Sequence, residues 1–147
     1  MKAKQKKADL INRTSIKVRF SEVDSMQIVW HGEYLRYLED GREAFGKQYG
    51  GLDYMDIYNN GYMTPLVNVN IDYKTPLRCG EKAIVETRYL NSRAAKILFE
   101  YTIFRESDMK VVAVASSVQV FLDLKFDLQL VSPAFYLEWK EKWGVIV

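Results

Sequence analysis

Histidine and cysteine are almost missing from this chain of 147 residues, which has one of each, His31 and Cys79. A single cysteine excludes an intrachain disulfide. One cysteine and one histidine would leave a zinc site to be built mainly from carboxylates, a poor donor set for that ion. A Cys79–His31 nucleophile pair is conceivable, but Cys79 sits in KTPLRCGE, where Pro76 and Gly80 mark a structural turn. The G-x-S-x-G elbow of serine hydrolases is absent, as are the glycine loops that cradle phosphates and dinucleotides. No metal or other cofactor is called for. No run reaches the roughly 18 apolar residues of a membrane span. The basic start MKAKQKK is followed by no apolar segment, so no secretory signal is expected and a cytoplasmic protein is the default. A net charge of +2 gives no reason to expect a nucleic-acid partner.

What is present is core material, with 48% hydrophobic residues in a length that fits one domain. Residues 1–13 are expected to form a basic tail and residues 14–147 a single domain. Ile16, Val18 and Phe20 alternate with Lys17 and Arg19, the pattern of a half-buried strand. From Glu33 to about Tyr49 the period becomes helical. Tyr34, Leu38, Gly41 and Phe45 form one stripe, with Gly32 as expected N-cap and Gly50-Gly51 as the stop. Gly41 inside that helix should cost about 1 kcal/mol against alanine, which close approach of the helix to a sheet would offset. A short helical turn is expected at Asp53–Tyr58. Four strands follow, near 66–73, 83–90, 96–105 and 111–122, then a last helix with Ser132 as N-cap and Pro133 at its first position. In the first of these strands Val67, Val69, Ile71 and Tyr73 share a face. The class is α+β, with an antiparallel sheet and one principal helix. One helix covers only one face of such a sheet, so self-association is expected.

The stretch SEVDSMQIVWHGEY, residues 21–34, carries the candidate chemistry. Asp24 lies between a strand and the long helix. Its plain role is a turn carboxylate that accepts from backbone N–H groups two residues on. Its other role is a base or nucleophile, since Ile28, Val29 and Trp30 would bury the connection against something. The first N–H groups of a helix have no partner within it and carry the positive end of its dipole. An N–H of His31 or Gly32 pointing into a cleft could therefore stabilise an oxyanion. The His31 imidazole either bridges loop and helix or adds a hydrogen bond to a reacting group. Trp30, Tyr34 and Tyr37 either line an acyl pocket or belong to the core. Arg88, Arg93 and Lys96 are either phosphate-binding cations or solvated surface charges.

Residues 18–45, VRFSEVDSMQIVWHGEYLRYLEDGREAF, resemble the signature of the hotdog-fold acyl-CoA thioesterases, in the 4-hydroxybenzoyl-CoA thioesterase-like family. The matches are Asp24, Ile28-Val29, His31, Tyr34, Glu39 and Arg42. VNIDYKTPLRCGE (69–81) and VFLDLKFDLQLVSP (120–133) extend the resemblance to roughly residues 14–140. It implies a long central helix wrapped by a curled antiparallel sheet, in a homodimer or homotetramer with the thioester bound between subunits. The implied substrate is an acyl-CoA or acyl-carrier-protein thioester. Asp24 takes the catalytic carboxylate's position, as nucleophile or as base, and the His31 N–H polarises the carbonyl. Val29, Trp30 and Tyr34 would contact the acyl group, with Arg93 as the cation for the carrier's phosphates. Glu39 and Arg42 would be structural. The family often has glycine where Gln27 stands and asparagine where Glu33 stands, and Glu33 would place a charge near the substrate mouth. The rival functions are a hotdog dehydratase or hydratase with His31 as base, and a non-catalytic acyl-CoA-binding module.

Overall fold

A computed structural model of the chain describes residues 10–146. The expected helix forms as α1 (Tyr34–Gln48) and buries the predicted stripe, with Tyr34, Leu38 and Phe45 each no more than 3% exposed. Strand β1 (Leu10–Lys17) precedes it. The short α2 (Tyr54–Asn59) follows, capped by Asp53 and Asp56, which each accept from the other's backbone N–H. Then come β2 (Tyr62–Met63), β3 (Leu66–Tyr73), β4 (Lys82–Leu90), β5 (Lys96–Arg105), β6 (Val111–Val120), β7 (Leu122–Asp123) and α3 (Ala134–Lys142). Among the described residues, five strands make one antiparallel sheet in the order β1-β4-β5-β6-β3, and β2 pairs with β7 as a separate ribbon. This is the hotdog architecture. The inner face is set by strict alternation: Ala83, Val85, Thr87 and Tyr89 of β4, and Ile97, Phe99, Tyr101 and Ile103 of β5, are all buried.

Gly41 determines how close α1 can lie to that face. A Cβ at this position would overlap Thr87 Oγ1 and come within 2.8 Å of Val85 Cγ1. At the other end of α1 its free carbonyls are met by indoles. Trp139 Nε1 of α3 donates to Tyr49 O, and Trp143 Nε1 to Gly50 O, each at 2.9 Å. Phe45, Tyr89, Phe99, Tyr136 and Trp139 form the ring cluster beneath this junction.

Several boundaries differ from the sequence reading. Residues 10–13, expected in the tail, are the start of β1, because Leu10 to Arg13 pair with Tyr89 to Glu86. The lysines at 2, 4, 6 and 7 lie outside the described residues. Gly32 is not the N-cap of α1. A 3-10 turn, His31–Glu33, leads into the helix, and Glu33 is already helical. Pro133, not Ser132, caps α3, since the carbonyl of Pro133 accepts from the Tyr136 and Leu137 N–H groups. The apolar face of β3 is not buried within the chain. Val67 is 57% and Tyr73 51% exposed, because β3 is an edge strand whose outer side pairs with nothing in the described chain.

Gly41→Ala should lower stability by about 1–2 kcal/mol although helix propensity alone favours it, because overpacking costs more than the gain. Thr87 Oγ1 is buried and has no hydrogen-bond partner among the described residues. Thr87→Ala should therefore be nearly neutral by itself and should relieve most of the Gly41→Ala penalty. Thermal unfolding of the two single variants and the double variant measures this directly.

Candidate active site

The connection from β1 to α1 contains a tight turn. Asp24 N–H donates to Ile28 O at 2.8 Å and Gln27 N–H to Asp24 O at 2.9 Å, closing a hairpin turn between paired Val23 and Val29. Asp24 Oδ1 accepts from Met26 N–H at 2.8 Å, so the plain turn role is real. Among the described residues, Oδ2 takes no hydrogen bond. Gln27 sits at φ 66°, the left-handed position that such a turn usually gives to glycine. The family's preference for glycine here thus has a local cause.

Beyond the turn, Val29 enters the core and donates to Leu77 O at 2.9 Å, and Ile28 bridges to Arg78. Trp30 is half exposed. Its indole folds back over Gly32, where any Cβ would strike the ring, and lies 4.9 Å from the imidazole of His31.

Two peptide planes start the helix, and each is held by its carbonyl side. Trp30 O accepts from Glu33 N–H at 2.9 Å. His31 O accepts from Tyr34 N–H and from the hydroxyl of Tyr73 at 3.1 Å. In a trans peptide the N–H points opposite to its C=O. The N–H groups of His31 and Gly32 are therefore aimed away from the helix, and among the described residues neither has an acceptor. The arrangement offers a carboxylate oxygen and two oriented donors, the chemistry that carbonyl attack requires.

The sequence reading brought some residues to this place and others not. Asp24, Trp30 and His31 are there and accessible. Val29 and Tyr34 are core residues, at 4% and 3% exposure. Arg93 lies in the β4–β5 turn, at the opposite end of β4 from the residues that adjoin Asp24. The Glu33 side chain is largely buried, with Arg36 at 3.7 Å. Cys79 is exposed in its turn. Sequence reasoning missed Tyr73, which orients the His31 carbonyl, and Glu22, whose carboxylate accepts from the Tyr37 hydroxyl at 2.8 Å. An aromatic at the end of an edge strand was the only signal for Tyr73.

Burial raises the Tyr34 phenol to about 12, with a backbone hydrogen bond to Leu77 pulling the other way and Tyr73 adding to the rise. Burial and the bond to Glu22 push Tyr37 up as well. Asp40 is raised by partial burial and by the carboxylates of Glu43, Glu22 and Glu39.

A cavity of about 840 Å3 lies elsewhere in the chain and runs beside α1 from Glu39 to Lys47, between α2, β5 and the β2–β7 ribbon. None of the residues named as catalytic or substrate-binding candidates lines it. His31 and Arg42 are separated by roughly 16 Å along the helix axis.

Residues 18–139 match the thioesterase-like superfamily. The chain is 36% identical over 111 residues to a putative acyl-CoA thioesterase, YneP, of Bacillus subtilis, an overlap of 75% of this chain and 80% of that one. Among solved structures, the 1,4-dihydroxy-2-naphthoyl-CoA thioesterase Slr0204 of Synechocystis superposes with a TM-score of 0.78 at 18% identity, over 88% of this chain and 94% of that one. The 4-hydroxybenzoyl-CoA thioesterase of Pseudomonas sp. strain CBS-3 gives 0.76 at 21% identity, over 88% and 98%. These two likenesses show the fold. The chain belongs to the thioesterase-like superfamily. It is a thioester hydrolase.

Because Tyr34 must stay neutral when folded, its contribution to stability is complete below pH 10 and is lost as pH rises towards 12. The melting temperature should fall across that window. It should fall less steeply in Tyr34→Phe, which has no proton to lose there; thermal unfolding at graded alkaline pH checks the slope.

Proposed function

We propose that the chain hydrolyses acyl-CoA or acyl-carrier-protein thioesters, with Asp24 as the reactive carboxylate and the N–H groups of His31 and Gly32 as the oxyanion donors. The observation that carries this reading is the pair of peptide planes fixed on their carbonyl sides, which leaves two aimed and unpartnered donors at the helix start. Asp24 is anchored through Oδ1 and keeps Oδ2 for the reaction. The carboxylate attacks the thioester carbon itself, or takes a proton from the water that does. Negative charge then develops on the carbonyl oxygen facing the two N–H groups, and the C–S bond breaks as that charge returns, releasing a thiolate that takes up a proton from Asp24 or solvent. Where Asp24 itself attacked, water then cleaves the resulting anhydride to free the acid and the carboxylate. The donors are preformed, so little reorganisation is needed as charge develops. The His31 imidazole makes no hydrogen bond with any described residue, so nothing orients it as a base, and the dehydratase role loses its support.

The working unit in this reading is a homodimer or a higher assembly. Among the described residues the outer edge of β3 is unpaired, and most of its side chains are exposed. Two β3 edges joined antiparallel about a twofold axis would continue the sheet. Such a pairing sets the C-terminal end of each β3 opposite the N-terminal end of the other. Tyr73, which holds His31, would then lie near the partner's Leu66. Leu66 follows the Met63-Thr64-Pro65 segment that lines the large cavity.

Asp24→Asn retains an acceptor for Met26 N–H, so the turn should survive while the reactive oxygen is lost. Thiol release from acyl-CoA should drop by about 100-fold or more with the melting temperature unchanged. An Asp24→Asn enzyme of full activity would reduce Asp24 to a turn residue. Sedimentation of the wild-type protein should find a dimer or tetramer at micromolar concentration, and a fully active monomer would remove the cross-subunit arrangement.

A further inference from the structure

Resting on the thioesterase reading and the β3 pairing, we propose that the 840 Å3 cavity is the acyl chamber for the partner subunit's Asp24 site. Its ligand is an unbranched fatty acyl chain. The position follows from β3. The strand carries the support of the catalytic turn at one end and the rim of the cavity at the other. Antiparallel self-pairing therefore brings each catalytic turn to the rim of the other chain's cavity.

The walls select the chemistry. Phe45, Leu52, Ile57, Ile97 and Phe99 are each at least nine-tenths buried, and their side chains contain no hydrogen-bonding atom. The polar lining residues, among them Arg42, Glu43, Lys47 and Asp53, are all more exposed than these five. Arg42 lies beside Glu39 at 3.9 Å and the Tyr101 hydroxyl at 3.5 Å, and Gln119 Nε2 donates to Thr64 O at 2.8 Å. An apolar floor with one polar rim complements a chain that is apolar throughout except at its thioester end. The two solved relatives described above are named for hydroxylated aromatic acyl groups. A buried phenolic oxygen needs a hydrogen-bond partner, and this floor has none to give.

Size points the same way. A methylene fills about the space of a water in the liquid, roughly 30 Å3, so a chain of about fourteen methylenes needs roughly 420 Å3. That is half of the cavity, with the remainder at its open side. A single benzoyl ring would leave most of it unfilled. On the open side the exposed rings of Tyr54 and Phe126 extend the apolar surface.

The test is a chain-length profile: kcat/KM for thiol release from butyryl-, octanoyl-, dodecanoyl-, hexadecanoyl- and benzoyl-CoA. It is run on wild type and on Ile57→Phe and Ile97→Phe, each of which fills the chamber from a different wall. Wild-type kcat/KM should climb about three- to four-fold per methylene over the middle of the series. The ratio of dodecanoyl to butyryl should fall at least ten-fold in either folded variant. A preference for benzoyl-CoA over dodecanoyl-CoA overturns the chamber and leaves the thioesterase reading standing. So does a ratio that neither variant moves, for instance because partner side chains fill the cavity. Absence of turnover on every substrate would defeat the thioesterase reading instead. Calorimetry then decides the chamber: affinity that rises with chain length and is lost in Ile57→Phe upholds it, and affinity indifferent to length overturns it.

Discussion

The contact of Gly41 with Val85 and Thr87 sets the geometry of everything else. Because no side chain stands between α1 and β4 at that point, the helix lies close against the concave face, with Leu38 and Phe45 packed on either side. That position fixes both ends of α1. Its C-terminal carbonyl groups reach the indoles of Trp139 and Trp143, which tie α3 and the chain's end to the core. Its N-terminal turn comes under the end of β3, within reach of the Tyr73 hydroxyl. A displacement at Gly41 would therefore be felt at the donors of His31 and Gly32, although Gly41 touches no reacting group.

Much of this was legible before any coordinates. The helical stripe of α1, the strand at 96–105, the short helical turn after Asp53 and the close approach at Gly41 all follow from side-chain period and backbone chemistry. The resemblance supplied the fold and Asp24. What could not be read was whatever depends on distant partners. The burial of Val29 and Tyr34 depends on the 74–81 turn, whose Leu77 carbonyl accepts from the Val29 N–H while the Leu77 backbone also bonds the Tyr34 hydroxyl. Arg93 was named for its charge, and only the strand register shows that it sits at the far end of β4. Tyr73 was invisible because its role depends on where an edge strand stops.

The Asp24 turn also has a twin. Asp123 N–H donates to Asp127 O, Phe126 N–H donates to Asp123 O, Asp123 Oδ1 accepts from Lys125 N–H, and Phe126 occupies the left-handed position at φ 71°. The local conformations are closely alike, and both begin with aspartate for the same reason. The first turn runs through Ile28–Trp30 directly into the His31–Glu33 turn at the start of α1, whereas residues 128–133 separate the second turn from α3. The turn by itself therefore does not set Asp24 apart from Asp123. In the proposed reading the difference lies in the neighbouring peptide planes, so the motif is read together with the helix that follows it.

An edge strand with the catalytic support at one end and a cavity rim at the other divides labour between identical chains. In the proposed pairing each chain supplies a carboxylate to one site and a chamber to the other. A chain without its carboxylate and a chain with a blocked chamber would then each be disabled as a homodimer. Mixed and allowed to exchange subunits, the two would rebuild one complete site in every heterodimer while the other carried both lesions. Recovery of activity from two inactive parents is thus written into the topology of a single strand.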